Sequence, residues 1–237
     1  MLLGFGDESN VLMRAMSKQP EESDNGDDES TAEDEAGAGA SDEPFERALD
    51  FAVRTLEIVL KRWGDKNTMS CIHTTLVFVL YMSRLPAAMA HLQGRFPWRL
   101  TSMMLNYQLK TAWTNPRIDS VDFPGPEKGQ GPWPLQEDYA LRGLVFAEDF
   151  FPDGWFDNDK IDETDRHLEP ASKTMERQER ILWIGRRIAD SGQWLTWDAE
   201  RRKFGVADEY SVAVDGLPDD EDGQSEGPAE KGWAVDA

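Results

Sequence analysis

The sequence predicts an all-α domain, closed by a small β-hairpin and flanked by two disordered acidic tails. Three observations predict it. Apolar residues recur at spacings of three and four through most of the centre, the period of one helix face. Ser, Asp, Asn and Pro stand where such helices would begin, and Gly where they would stop. Charge is unevenly spread as well. Of a formal net −21 over 237 residues, residues 1–44 hold 13 acids against 2 bases, and 207–237 hold 10 against 1. The centre, 45–206, is left close to neutral with 23 acids against 22 bases.

Residues 17–44 are Ser, Glu, Asp, Gly and Ala with almost no large apolar side chain, and 215–237 read the same way. Such segments cannot bury enough surface to offset their ordering entropy, so 1–44 and 207–237 are expected to be disordered tails around one domain, 45–206. Ser30 and Thr31 each have an acid three positions on and suit an acid-directed kinase. The first helix is capped by Ser41 or Asp42 and runs to about Trp63, with Phe45, Leu49, Val53, Leu56, Leu60 and Trp63 in one stripe and Gly64 after it. The second, 68–83, follows Asn67 and is apolar on every side, the mark of a central helix. A short third helix opens at Pro86 and stops at Gly94. A fourth, 97–113, has Pro97 as its first residue, where a missing N–H costs nothing.

Residues 115–135 carry five Pro and three Gly and read as a linker inside the domain. A fifth helix is expected over 136–148, then an acidic, aromatic loop over 149–170. The sixth helix, 172–191, should turn Met175, Ile181, Ile184 and Ile188 inward and pair Glu176 with Arg180 across one turn. Residues 193–196 and 203–206 flank a polar turn and read as the β-hairpin.

Several functions are excluded or left without support. A single cysteine, Cys71, allows no intrachain disulfide and fits a reducing compartment. The longest apolar run, Leu76 to Met82, has seven residues, whereas a membrane-spanning helix needs about 20, so no membrane association is expected. No phosphate-binding loop or nucleophile elbow occurs, and His73, His91 and His167 show no metal-ligand spacing. The apolar surroundings of His73 make it a core histidine. Between Glu148 and Asp165 lie eight carboxylates, a set that could hold divalent metal, but their spacing does not fit a calcium loop. They read as a solvated loop. We therefore expect no enzyme, no cofactor and no metal. Basic clusters are the better lead. Arg177, Arg180, Arg186 and Arg187 fall on the sixth helix, and Arg201, Arg202 and Lys203 on the hairpin. Basic groups beside aromatics track a phosphate backbone and stack bases, so these seven residues form the candidate nucleic-acid-binding face for single-stranded DNA or RNA.

Two stretches go beyond generic helix. One is Pro132-Trp133-Pro134-Leu135-Gln136-Glu137-Asp138, followed by Leu141-Arg142-Gly143, Phe150-Phe151-Pro152 and Trp155-Phe156. The other runs from Arg177 through Gly185, followed by Arg187-Ile188-Ala189 and Trp194-Leu195. With Phe96-Pro97-Trp98-Arg99-Leu100, they resemble the helical DNA/RNA-binding domain of the ever-shorter-telomeres/SMG family, particularly its filamentous-fungal members, over about 67–206. That family comprises telomerase-binding proteins and nonsense-mediated mRNA decay factors. The resemblance implies an array of antiparallel helical hairpins, tetratricopeptide-like and solenoidal. It further implies a non-catalytic adaptor of telomere maintenance or mRNA decay, with telomerase or decay-complex proteins as partners and a nuclear, partly cytoplasmic, location. The alternative is a protein-interaction scaffold without nucleic-acid affinity. The family's phosphoserine pocket and nuclease domain have no counterpart in this sequence, so no residue is carried over from them. In such an array each unit buries its neighbour, so the outer face of the first helix is expected to be open or covered by something else.

Overall fold

The computed structural model describes residues 3–17, 42–112, 116–125, 131–157 and 171–211. Among them are seven α-helices: α1 (Val11–Ser17), α2 (Glu43–Leu60), α3 (Met69–Met82), α4 (Pro86–Met89), α5 (Trp98–Lys110), α6 (Gln136–Leu141) and α7 (Ala171–Ala189). Strands β1 (Leu195–Asp198) and β2 (Lys203–Val206) form an antiparallel pair in which Leu195 faces Val206 and Trp197 faces Phe204. The protein is mostly helical with this one small sheet, as the sequence predicts.

The centre is α3, which buries Met69, Ile72, His73, Leu76, Val77, Val79, Leu80 and Met82. An all-round apolar sequence forces this placement, because no side of the helix can face water without loss. Its main neighbour is α7; α2 packs beside it, and α5 packs on α2 and α7. From α2 come Phe45, Leu49, Leu56 and Leu60 of the expected stripe; Val53 is half-buried, and the helix ends at Leu60, short of Trp63. On α7 the inward residues are Ile181, Ile184 and Ile188, again as expected. Gly185 lets α7 approach α5: a Cβ there would lie 2.7 Å and 2.9 Å from the Leu105 methyls.

The hairpin is bound to α5 by polar contacts that substitute for a third strand. Asn106 accepts from the Phe204 N–H at 2.8 Å and donates to the Phe204 carbonyl at 2.8 Å. Ser102 Oγ donates to the same carbonyl at 3.0 Å. Beside them Trp98 and Trp194 stack at 5.8 Å, and both indole N–H groups are held by Gln93.

Four expectations need correction. The first is the tail 1–44. Its beginning is not a tail, since residues 3–17 fold, with Phe5, Val11 and Leu12 buried and Phe5 edge-on to Phe78, Tyr81 and Phe146. Asn10 caps α1 by accepting from Leu12 N at 3.0 Å, and Arg14 pairs with Asp42 at 2.5 Å. A charge count averaged over 44 positions hides an apolar start in which only Asp7 and Glu8 are acidic. Residues 18–41 and 212–237 lie outside the described ones, and so do Ser30, Thr31 and His167. At the other tail, Asp208–Tyr210 forms a 3-10 turn, with Tyr210 6.3 Å from Trp98.

Secondly, 115–135 is more than a linker. Ile118 is fully buried, and three contacts strap 116–125 to α7. Arg117 engages both Glu179 oxygens, Trp183 donates to the Ser120 carbonyl, and Arg187 donates to that of Ile118. The third correction concerns the fifth helix, which ends at Leu141 because Gly143 takes a φ of +79°. A short 3-10 turn, Val145–Ala147, follows. Finally, Met175 is 41% exposed, and Glu176 pairs with Lys173 instead of Arg180.

Candidate nucleic-acid interface

The seven basic residues divide into two groups with different surroundings. Arg177 and Arg180 are 3% and 1% exposed. They point from α7 toward α6, the short helix that begins after Pro134-Leu135. At its third position, Asp138 reaches back to accept from the Leu135 N–H at 2.9 Å, one half of a capping box. The Asp138 carboxylate also takes Arg180 Nη1 at 2.7 Å and 2.6 Å, and the Trp155 indole N–H at 3.2 Å. The Arg180 guanidinium lies between two rings, 4.7 Å from the centre of Phe123 and 5.1 Å from that of Trp155. Next to it Arg177 grips Glu137 through Nε at 2.5 Å and Nη2 at 2.8 Å.

His73 of α3 completes this cluster. Its Nδ1 is 3.1 Å from Glu137 Oε1. Burial works to raise the Glu137 pKa, but hydrogen bonds from Arg177 and His73 outweigh it and hold the carboxyl well below its ordinary value. Burial lowers the His73 pKa and the Glu137 bond only partly offsets it, so the ring is neutral near pH 7. A neutral ring facing a carboxylate must carry its proton on Nδ1, which leaves Nε2 as the acceptor. His73 is thus a core histidine with one nitrogen paired. Nothing in this cluster reaches solvent, so neither phosphate nor substrate meets Arg177 or Arg180. Their assignment to a nucleic-acid face is corrected: they are cross-braces between α7, α6 and α3.

This correction was legible in the sequence. Arg177 stands four and seven positions before Ile181 and Ile184, and Arg180 four and eight before Ile184 and Ile188, so both share the apolar face of α7. Two arginines on a core face require buried acids, and Glu137-Asp138 sits beside the apolar Pro134-Leu135 pair. The missing information was which acids, because the partners are 40 and 42 residues away.

The other five basic residues do meet at one end of the molecule. Arg186 lies 5.7 Å and Arg202 6.0 Å from the centre of the Trp197 ring, and Arg201 and Lys203 are exposed on the hairpin turn. Acids accompany them, however. Arg186 and Arg187 pair with Asp190, Arg201 approaches Asp198 at 3.8 Å, and Arg202 approaches Asp119 at 3.3 Å. Arg202 takes a φ of +47°, the left-handed conformation that closes the hairpin turn.

An open cleft of about 420 Å³ lies under the 142–157 loop, where Arg142 sits 5.0 Å over the Phe156 ring and Glu148, Asp153 and Asp157 line the wall. No Ser, Cys, His or Lys lines it, and no three His, Cys, Asp or Glu side chains gather as a metal site among the described residues. The carboxylates beyond Asp157 lie outside those residues. Among the described helices none is long and apolar enough to cross a membrane. In comparisons with known protein families, curated proteins and solved structures, nothing matches this chain.

Proposed function

We propose that this chain is a non-catalytic helical adaptor that holds protein partners. The observation that carries this reading is the fate of the basic residues: two are sealed in the interior, and four of the other five stand beside acids of the same chain. Affinity for a phosphate backbone rests on cations that are free to displace counterions, and little of that capacity is left at this surface. The reading also includes the tetratricopeptide-like array of hairpins and a place among telomerase or mRNA-decay assemblies, in the nucleus with a cytoplasmic share. These two parts rest on the motif resemblance. Its support is that both stretches carrying the resemblance, 132–156 and 177–185, meet in the Glu137–Asp138–Arg177–Arg180 cluster, so they encode a packing arrangement.

Fluorescence anisotropy with single-stranded telomeric-repeat DNA and with unstructured RNA, across a salt series, tests this. At physiological salt the expected dissociation constant is no tighter than about 10⁻⁵ M, within the non-specific range. Submicromolar binding that falls with salt and disappears in Arg201→Glu plus Lys203→Glu would replace this reading with a second one, a nucleic-acid contact at the hairpin end. The Trp197 ring between Arg186 and Arg202 favours that alternative.

A further inference from the structure

The cleft under the 142–157 loop is lined by aromatic rings and by carboxylates. Among the rings, Phe151 and Phe156 meet edge-on with centres 5.1 Å apart, and Tyr139 lies 5.6 Å from Phe156. Trp155 is fixed by its indole bond to Asp138. Rings that hold one another in this way keep their positions without a ligand. Glu148, Asp153 and Asp157 also line the cleft, and all three are exposed. Among the described residues no cation pairs with their carboxylates, and Arg142 is the one base in the lining. Three acids thus stand against a single base, and the base is not spent on them. The Arg142 guanidinium instead lies 5.0 Å over the Phe156 ring. The cleft therefore already carries a guanidinium on an aromatic face, with carboxylates around it that stay unpaired.

We propose that this cleft binds an arginine side chain of a partner protein, stacked on the Phe156 face where Arg142 now lies and met in charge by Glu148, Asp153 and Asp157. The inference rests on the adaptor reading and gives it a partner chemistry. A planar guanidinium can stack on a ring and still give its in-plane N–H groups to carboxylate oxygens, a combination closed to the compact ammonium of lysine. A metal ion is the wrong occupant, because it needs converging ligands and no three His, Cys, Asp or Glu side chains gather as a metal site among the described residues. An anionic ligand would meet the unpaired acids of the wall, a like-charge contact. Arg142 is exposed, so it moves into solvent as the incoming side chain takes its place on the ring.

An NMR titration of the isotope-labelled full chain, followed at the Trp155 indole N–H, decides it. The probe is a short Gly-Ser peptide carrying one arginine. Control peptides carry lysine or citrulline at that position, citrulline having nearly the same shape and no charge. A chain of net charge −21 attracts any cation, so binding must also depend on the cleft's own residues. The expected result is a saturable shift with the arginine peptide and none with citrulline. Asp153→Asn plus Asp157→Asn keeps the side-chain shapes and should weaken binding about tenfold. Arg142→Ala vacates the ring face and should strengthen it about threefold. Helical circular dichroism should be unchanged in both variants. Absence of a shift with the arginine peptide overturns the proposal. So does an equal shift with citrulline, preference for lysine, unchanged affinity in the Asn variant, or no gain in Arg142→Ala. None of these outcomes moves the anisotropy result, which decides the adaptor reading separately.

Discussion

Arg180 and Arg202 are the same side chain beside the same kinds of partner, an aromatic ring and an aspartate, and they do different things. Arg180 is held between Phe123 and Trp155 and takes both oxygens of a fully buried Asp138. Arg202 lies 6.0 Å from Trp197 and 3.3 Å from an exposed Asp119. Water separates the two cases. In the interior an ion pair cannot be given up without stranding a desolvated charge, so it fixes geometry. At the surface it contributes at most about 1 kcal/mol and fixes little geometry. Residue type and spacing are shared by both regions; burial alone assigns the role.

The largest test of that contrast is Asp138→Ala. It strands the Arg180 guanidinium and removes the acceptor of Leu135 N–H and Trp155 Nε1, so chemical denaturation should show a loss of about 3–5 kcal/mol. A loss below about 1 kcal/mol would place Arg180 in the surface class. Next is Gly185→Ala, on α7 between Arg180 and Arg186. The new methyl would meet Leu105, and overpacking there should cost about 1–3 kcal/mol in denaturant unfolding. Added Leu105→Val should recover part of it, and no recovery would show that contact is not the cause.

Acid sensitivity should come in part from the cluster, beside Glu179, whose pKa burial would raise but bonds from Arg117 depress. Burial sets the folded His73 pKa below 6.5, so the unfolded chain takes the proton first, and stability should decline as pH falls from about 6.5. The folded Glu137 pKa is depressed from 4.5, so its contribution is whole above that pH and is lost as pH falls further. Urea midpoints across pH 3–8 measure both limbs. His73→Gln keeps a donor for Glu137 and should flatten only the first limb; an unchanged first limb would assign it to other groups. The smallest effect is expected at the hairpin end, where Arg201→Glu plus Lys203→Glu should change stability by no more than about 0.5 kcal/mol. A larger loss would mean that this region is structural too.

Much of the fold was legible because local periodicity decides it. Phe45, Leu49, Leu56 and Leu60, or Ile181, Ile184 and Ile188, can face only one way once their helices form. The Gly143 break was harder to foresee, because apolar spacing continues across it. At α1 the limit was averaging: an acid count over a long window hid Phe5, Val11 and Leu12. An open or covered outer face on the first helix was expected, but its identity as Phe51 and Ile58 needed the packing of α2 on α3 and α5. The candidate site was least legible. The Arg177–Glu137 and Arg180–Asp138 pairs join distant segments, and a basic helix face looks alike from the sequence whether it meets water or carboxylates.

The Asn106 amide has a consequence for the order of events in folding. Two strands of four residues do not hold together alone in water. Here β2 is completed by a side chain from 98 residues earlier, which answers both hydrogen-bonding groups of Phe204. A contact spanning so much chain carries a larger loop-closure cost than any turn of the local helices, so it is expected to form after them. The hairpin therefore depends on helix α5 for its order, and Asn106→Ala should release it while the helices stay folded.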